Sequence, residues 1–462
     1  MKIKKRQLTA NLIFGSIFFI CVLLARFKVF SYISILFFFF YFVYYCILKN
    51  KEFFFKYLAV LFISGMAILG TALIEIDEGI HLVELDCYSS FAGSLPLLIF
   101  GYWLLLFVIT LVDYKYNVRI SYESIAELKK YKKLYNIISI VVLVLFLLLF
   151  SKVATRPALL LGIDRFAYAS QYSQLGVLGK VATNAPLLLV FPILTTIYNE
   201  NFQRVIGILG IITYILYFLW IGNKFGPFFT LICIFLLIYY KKILNKGKKF
   251  IKKILIISFT AFGIILAFTI IFSISTSSYS GLEYLEQRGT QQGQLWWKTY
   301  EICENVHPME FINEIKALGN GKDTISDNVG SDNGIYKIMY LCAPKNQVDF
   351  KLATGSRYSE AGYATMYYYF SKIGVIMFSC IMGMLIAVTI NFIIRALNRG
   401  DYIKTLILLR FFLLERGSIS MFLFNDFVGI ISIISYVYLL LMKGKKIVIN
   451  KKDGIRLIIV KC

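Results

Sequence analysis

The feature that most constrains this chain is a series of apolar blocks, most of them about 18 to 22 residues long. That is the length a helix needs to cross the hydrocarbon layer of a membrane. Only helices and closed barrels satisfy their backbone hydrogen bonds in lipid, and apolar runs without strict alternation are not those of a barrel. Charged residues make up only 16% of the chain, against roughly 25% in a soluble domain. The sequence therefore predicts an all-α integral membrane protein.

The blocks predict about twelve transmembrane helices, at 8–25, 29–48, 53–74, 91–112, 134–153, 181–199, 205–221, 227–240, 254–274, 372–394, 403–416 and 421–442. The eleventh is short and contains Arg410, and one longer helix over 403–424 is the alternative. The chain then divides into four parts: helices one to nine in 1–274, a large external loop with short helices in 275–371, the last three helices in 372–442 and a basic tail in 443–462.

Lysine and arginine predict the orientation, because cytoplasmic loops collect positive charge. The 241–253 loop has seven lysines, and the tail has seven basic residues. Counted through twelve spans, these segments fall on the same side as the N-terminus, so we expect both termini in the cytoplasm. The acidic segment 75–90 and the long segment 275–360 fall outside. The net charge of +23 is then mostly this inside-positive signal and contact with anionic lipid, and nucleic-acid binding is not expected.

Cysteines and histidines predict no metal site. The eight cysteines are scattered without a CxxC motif, and the two histidines, His81 and His307, fall in different external loops. A disulfide between Cys303 and Cys342 is possible, but their spacing alone does not establish one.

Several cations break the inside-positive trend on the predicted outer side. Arg165 and Lys224 lie in two outer loops, Arg288 and Arg357 lie near the ends of the long loop, and Arg416 lies near an outer helix end. Outward cations suggest a site for an anion, and guanidinium groups bind phosphate oxygens through paired hydrogen bonds. The alternative is that these side chains pair with external acids or extend to lipid headgroups.

A second patch, 354–370, precedes the tenth span. If it is helical, Arg357 and Glu360 lie one turn apart on one face, and Tyr363 and Tyr367 continue a stripe at helical spacing. Cation, carboxylate and aromatic rings together suit a sugar phosphate, with the tyrosines stacking on sugar; an interfacial aromatic belt with a local ion pair is the alternative. Trp296–Trp297 predict either an amphipathic helix resting on the membrane or a sugar platform.

Arg410 and Asp426 are the ionisable residues expected at membrane depth. Such residues are costly in lipid and are usually paired or functional. We expect them to pair with each other, either as a buried structural lock or as part of a site.

The layout resembles the bacterial O-antigen and capsular polysaccharide repeat-unit polymerases, which have many spans, a large external loop before the last helices and outward arginines. The residues that support the resemblance are Gly162-Ile-Asp-Arg-Phe166, Gly222-Asn-Lys-Phe-Gly-Pro227 and Gly355-Ser-Arg-Tyr-Ser-Glu-Ala361. The resemblance implies a multi-pass protein of the bacterial plasma membrane that joins oligosaccharide units carried on undecaprenyl diphosphate at the outer face. Its partners would be that lipid-linked oligosaccharide, membrane lipids, and flippase and chain-length regulator proteins.

The implied chemistry needs no cofactor. The leaving diphosphate gathers negative charge, which Arg165, Lys224, Arg288, Arg357 and Arg416 would stabilise without a metal. Glu360 would act as the base that accepts the proton of the acceptor hydroxyl. A flippase for the same lipid-linked units, or a transferase resembling the O-antigen ligases, remains the alternative. In the ligases a histidine of the large loop takes part, and His307 would be its counterpart here.

Overall fold

The computed structural model describes residues 5–116, 118–121, 132–161, 185–196, 201–223, 226–247, 281–319, 334–353, 357–421, 445–450 and 456–461, together with five isolated residues. Its helices are α1 (Lys5–Leu23), α2 (Lys28–Phe40), α3 (Lys51–Lys56), α4 (Leu58–Ile76), α5 (Leu95–Tyr116), α6 (Lys132–Val153), α7 (Ala158–Leu161), α8 (Val190–Thr195), α9 (Asn201–Trp220), α10 (Gly226–Asn245), α11 (Gly281–Thr290), α12 (Gln294–Ile302), α13 (Pro308–Gly319), α14 (Gly334–Cys342), α15 (Lys345–Ala353), α16 (Ala361–Arg399) and α17 (Tyr402–Met421). A π-helix, Tyr41–Lys49, extends α2, and a 3-10 helix, Ala185–Leu189, precedes α8.

Seven helical segments in the described part of the chain are long and apolar enough to cross a membrane. They are Lys28–Lys49, Leu58–Ile76, Leu95–Tyr116, Tyr135–Val153, Phe202–Trp220, Gly226–Asn245 and Ala361–Arg399, with a shorter apolar helix at Leu8–Leu23. The prediction of an all-α membrane architecture is compatible with this result. The count of twelve is not confirmed. The twelfth predicted span apart from Met421, and most of the ninth, lie outside the described residues, and the sixth is represented by α8 and its short 3-10 helix.

The described residues form two compact units, one of residues 1–49, 60–119 and 287–462 and the other of 50–59 and 120–286. In the first unit, α5 packs against both α1 and α16. Gly101 of α5 allows the close approach of α16, since a Cβ there would lie 2.9 Å from the Tyr363 ring. Gly383 of α16 does the same one level further along, where a Cβ would lie 2.7 Å from the Leu105 carbonyl oxygen. Small residues at helix contacts are typical of membrane bundles.

Glu75, near the end of α4, caps the start of α5. Its carboxylate accepts hydrogen bonds from the backbone N–H groups of Ser94 and Leu95 and from the Ser31 hydroxyl. The first N–H groups of a helix have no partner within the helix, and the N-terminus of its dipole favours a negative group. This fully buried carboxylate therefore has a structural task that fixes α5 relative to α4.

Helix α16 bends at Ser371, where the backbone takes φ 52° and ψ −143°. Gly374 makes the bend sterically feasible, because any Cβ there would clash with the carbonyl oxygen of Met366. The helix ends at Gly400, whose φ of 67° is the usual left-handed C-cap, and Asp401 then caps α17 through the Lys404 N–H at 3.2 Å. The bend separates a first segment, 361–370, from the longer apolar segment.

The long loop and the acidic segment after α4 fold together in the first unit. The hairpin of β1 (His81–Leu82) and β2 (Cys87–Tyr88) pairs His81 with Tyr88, and the hairpin contributes to one hydrophobic core with α12, α14, α15 and the first segment of α16. Trp297, Met339, Val348, Tyr358 and Tyr369 are fully or almost fully buried there. This core joins described residues of the two segments that were predicted to lie outside the membrane, and we call it the extramembrane core on the basis of that prediction.

The second unit contains α3, α6–α10 and the 3-10 helix. Helix α9 packs along α6, where the rings of Phe146 and Tyr214 meet edge to face at 5.1 Å. Gly207 lets α9 approach α8, since a Cβ there would lie 2.6 Å from the Pro192 carbonyl oxygen. In the same unit, the Tyr240 hydroxyl of α10 accepts a hydrogen bond from the Ile120 N–H at 3.3 Å.

The C-terminal segment, predicted as a basic tail, contains an antiparallel hairpin of β3 (Lys445–Asn450) and β4 (Arg456–Lys461). Both strands contain a run of isoleucine and valine, Ile447–Ile449 and Ile458–Val460, and these β-branched residues favour strand structure.

Candidate functional site

Glu360 is the most unusual residue of the first unit. It immediately precedes α16 in a left-handed conformation, φ 60° and ψ 23°, which is sparsely populated by residues other than glycine. Its side chain is buried with 2% of its surface exposed, and both carboxylate oxygens accept from the Tyr102 hydroxyl, at 2.9 and 2.8 Å. Strained backbone conformations cluster at functional sites, and a buried carboxylate is costly. The two features together single out Glu360.

Burial raises the pKa of Glu360 to about 8, even though the hydrogen bond from Tyr102 acts in the opposite direction. Removal from water disfavours the ionised form of a carboxyl group. A pKa near neutral pH is what a general acid or base needs, since both protonation states are then accessible. Glu360 is therefore equipped for proton transfer.

A series of packed aromatic rings leads away from Tyr102, which contacts the carboxylate. The rings of Tyr102 and Tyr363 lie 4.7 Å apart, and Trp296 meets Tyr363 at 6.4 Å and Tyr367 at 5.5 Å. Tyr363 has no exposed surface and Tyr367 only 8%. The two tyrosines predicted to stack on sugar thus pack against other aromatic rings in this structure, and sugar could reach them only if these rings separated.

Trp296 and Trp297 form neither a membrane-resting surface nor an open platform. Both are fully buried, and their indole N–H groups donate to the carbonyl oxygens of Ser94 and Ser90. These two hydrogen bonds hold α12 against the segment before α5. Sequence spacing could not reveal this, because the partners lie about two hundred residues away in the chain.

The helical relation predicted between Arg357 and Glu360 is wrong. Helix α16 begins at Ala361, so residues 357–360 form a turn and the two side chains do not share a helix face. The Arg357 guanidinium lies over the Tyr336 ring at 5.6 Å, while Glu360 turns towards Tyr102. The left-handed conformation of Glu360 is the cause, because it reverses the direction of the chain before the helix starts.

Arg288 lies four residues before Gln292, which contacts the same turn. Its guanidinium donates to the Gln291 side chain at 2.9 Å, and the neighbouring Gln292 accepts from the Ser359 hydroxyl at 3.3 Å. Ser359 lies between Arg357 and Glu360 in the sequence. Two of the predicted cations, Arg288 and Arg357, therefore flank the turn that presents Glu360, and both are at least partly exposed.

Arg416 does not join this group. It is half-buried on α17 next to Glu415, whose carboxylate accepts from Thr389 of α16 at 2.7 Å. At a rise of about 1.5 Å per residue, roughly 27 Å of helix separates Thr389 from the bend at Ser371. Arg416 thus lies far along the bundle from Glu360 rather than at the outer edge with it.

The other predicted charged residues are not tested. Arg410 is half-buried on α17, while Asp426, Arg165 and Lys224 lie outside the described residues. The pair of Arg410 and Asp426 therefore stays a prediction.

Sequence reasoning missed a polar network on the extramembrane core. Glu310 accepts from Lys337 and from the Tyr368 hydroxyl, and His307 lies 3.4 Å from its other oxygen. The His307 ring also stacks on Tyr368 at 4.5 Å. Burial alone would raise the pKa of Glu310, but the hydrogen bonds from Lys337 and Tyr368 outweigh it and lower the pKa overall. The network stabilises the packing of α13 on α14 and α16.

Tyr102 was missed as well, because nothing in its sequence neighbourhood links it to a residue 258 positions later. Cys303 and Cys342 are both free thiols. Within the described ranges, no three His, Cys, Asp or Glu side chains lie close enough together to hold a metal ion.

The comparisons with known proteins give one family match. A model described as a family of unknown function, DUF6418, matches residues 328–439, which include α14 to α17 and therefore Glu360 and Arg357. No curated protein and no solved structure matches the chain. The matched region thus contains Glu360 and Arg357, while Tyr102 and Arg288 lie outside it.

Proposed function

We propose that this protein is a membrane glycosyltransferase that polymerises oligosaccharide repeat units, carried on undecaprenyl diphosphate, at the outer face of a bacterial plasma membrane. The proposal includes about twelve spans and both termini in the cytoplasm. The observation that supports it most is Glu360, a buried carboxylate of raised pKa where apolar α5 meets the extramembrane core, with Arg357 and Arg288 flanking its turn. The resemblance to the repeat-unit polymerases supplies the substrate class.

The reaction assigns one role to each group. The acceptor hydroxyl attacks the anomeric carbon of the donor chain, the new C–O bond forms, and the bond from that carbon to the diphosphate oxygen breaks. The hydroxyl proton passes to the ionised form of Glu360, and the diphosphate leaves with the electron pair. Arg357 and Arg288 stabilise the charge that develops on it. The half-buried Arg357 and Ser359 mark the side from which substrate would approach.

A gene deletion distinguishes this function from a flippase. We expect the deletion strain to lose long-chain surface polysaccharide and to accumulate single lipid-linked repeat units at the outer leaflet. Accumulation at the inner leaflet would instead indicate a flippase. Normal long chains would refute both. The deletion complemented with the unsubstituted gene is the control.

The role of the guanidinium is tested by two substitutions. Arg357→Lys keeps the charge but loses the planar fork that binds phosphate through two hydrogen bonds, so we expect much of the polymerisation to be lost, and nearly all of it in Arg357→Ala. The matched control is Arg26→Ala, which removes another guanidinium that lies over an aromatic ring, 4.7 Å above Phe27. Polysaccharide chains of normal length in Arg357→Ala, at equal protein level, would show that Arg357 only contacts Tyr336 and takes no part in the reaction.

A further inference from the structure

One extramembrane helix, α13, has an exposed apolar face. Met309 is 65% exposed and Ile312 42%, and Val306, just before the helix, is 52% exposed. Met309 and Ile312 lie three residues apart and therefore on the same side of the helix. A group of exposed aliphatic side chains on a folded domain marks a surface that contacts a membrane or another protein.

The remaining contacts of α13 fix its position along α16. Phe311 packs on Tyr369 and Phe370 with ring centroids 5.3 and 5.2 Å apart, and the His307 N–H donates to the Tyr369 carbonyl oxygen at 3.1 Å. Phe370 immediately precedes the bend at Ser371. The helix is thus held at the level of the bend.

The same level is where the lipid-facing surface of α16 begins. Directly after the bend, an exposed apolar stripe runs along the helix at intervals of three or four residues through Ile373, Met377, Ile381 and Met384, with exposed Ile376 beside it. Exposed Lys372 stands at its start, and a lysine at the end of a span extends its ammonium group to the headgroups. The membrane boundary therefore lies within about one helical turn of the Phe370 that α13 contacts.

We propose that α13 lies in the headgroup layer, with Val306, Met309 and Ile312 in contact with lipid. The occupant is a lipid surface rather than a protein partner, because the apolar face of α13 lies at the level where the lipid-facing stripe of α16 starts. Charged Glu310 lies on a different side of α13 and is engaged by Lys337 and Tyr368 of the core. An amphipathic helix of this kind lies in the plane of the interface. It fixes the height of segment 361–370, and so of Glu360, relative to the membrane.

Depth-dependent quenching tests this placement in the full chain reconstituted into lipid nanodiscs. Met309→Cys is labelled with a small fluorophore, and its emission is compared in ordinary lipid and in lipid brominated near the headgroup end of its chains. Leu341→Cys is the matched control, because Leu341 is an exposed aliphatic residue of the same core, 50% exposed on α14. The unsubstituted chain measures background labelling of the native cysteines.

We expect the probe at position 309 to lose most of its fluorescence in brominated lipid and the probe at 341 to lose little. Unchanged emission at 309 would overturn the proposal, because the face would then be in water or covered by protein. Equal quenching at both positions would overturn it too, because lipid contact would not be specific to α13. Ile312→Cys provides a second labelling position on the same face if Met309→Cys does not fold.

Discussion

At the scale of single residues, Glu360 combines two unfavourable features. A left-handed backbone at a residue other than glycine costs on the order of 1–3 kcal/mol, and a buried carboxylate adds a desolvation cost. Glu75 in the same unit is also fully buried, but it accepts from two backbone N–H groups and from Ser31. Glu415 is fully buried with a single hydrogen bond from Thr389, but its backbone is helical, so it is the left-handed backbone together with burial that singles out Glu360.

The first prediction separates function from stability at this residue. Glu360→Gln keeps the shape and the acceptor for Tyr102 but cannot accept a proton, so we expect chain extension to slow by a factor on the order of 10²–10⁴. The same variant should unfold at an equal or higher temperature than the unsubstituted protein. In the unfolded chain Glu360 ionises near its ordinary pKa of 4.5, and in the folded protein only near 8. Stability of the unsubstituted protein therefore falls as pH rises between these values, and the glutamine variant escapes that loss.

Initial rates in proteoliposomes and thermal unfolding in detergent measure the two effects. The control is Glu415→Gln, which removes another fully buried carboxyl group, hydrogen-bonded to Thr389 and distant from Glu360. Chain extension should stay near normal in this control. Normal extension by Glu360→Gln at equal expression would remove Glu360 from the mechanism.

The second prediction concerns pH. If ionised Glu360 accepts the proton, the rate should rise with pH and level off above about 8. The hydrogen bond from Tyr102 favours the ionised carboxylate and lowers this pKa, so Tyr102→Phe should move the profile to higher pH. Tyr88→Phe, at an exposed tyrosine of the β-hairpin, should leave the profile in place. A rate–pH profile that is identical in Tyr102→Phe would show that this contact does not tune the base.

At the scale of elements, α4 docks closely on the turn between α11 and α12. A Cβ at Gly70 would lie 2.6 Å from the Gly289 carbonyl oxygen and 2.8 Å from the Gly293 nitrogen. Displacing these backbone atoms would cost more free energy than displacing a flexible side chain. This turn also contains Gln292, which bonds Ser359 next to Glu360. Docking of the turn on α4 therefore positions the candidate site.

The third prediction follows from this contact. Gly70→Ala should push the turn away from α4, lower the unfolding temperature and expose the long loop to protease. Gly65→Ala on the same helix is the matched control, because a Cβ there meets nothing within 4 Å. Alanine should even stabilise that helix slightly, by up to about 1 kcal/mol. Equal protease resistance of the two variants would mean that the docking is not needed for the loop to fold.

The sequence predicts those elements that depend on neighbouring residues and misses those that depend on contacts between residues distant in the chain. Hydropathy predicted the seven long apolar helices found in the described residues, because each such signal depends on about twenty neighbouring residues. The core of the long loop was not predictable in this way, since Trp297 packs among residues of the β-hairpin and α14 that are distant in the chain. The predicted helix through Arg357 and Glu360 failed for a local reason: one left-handed residue, which no propensity rule expects at glutamate, starts α16 later. Tyr102 could be recognised only from the fold.

At the scale of the whole molecule, charge still provides the only argument for orientation. The acidic segment 75–90 has no lysine or arginine and acids outnumber bases in the loop 275–360, whereas the 241–253 loop is rich in lysine. Much of the acidic segment packs with the long loop in one extramembrane core, so they must lie on the same side of the membrane. From the inside-positive trend we propose that this side is the exterior.

The last prediction is that Leu341→Cys is labelled in intact cells by a thiol reagent that cannot cross the membrane. The interior side is tested by Lys246→Cys, at an exposed position in the lysine-rich loop, which should be labelled only after permeabilisation. Gly293, within the same long loop, would be a poor reporter because it packs against Thr71. Native Cys303 should contribute little background, since burial raises its pKa to about 11 and the reactive thiolate is scarce at neutral pH. Labelling of Leu341→Cys that requires permeabilised cells would reverse the orientation. It would then place Glu360, Arg357 and Arg288 on the cytoplasmic face, where an outer-leaflet polymerase could not use them.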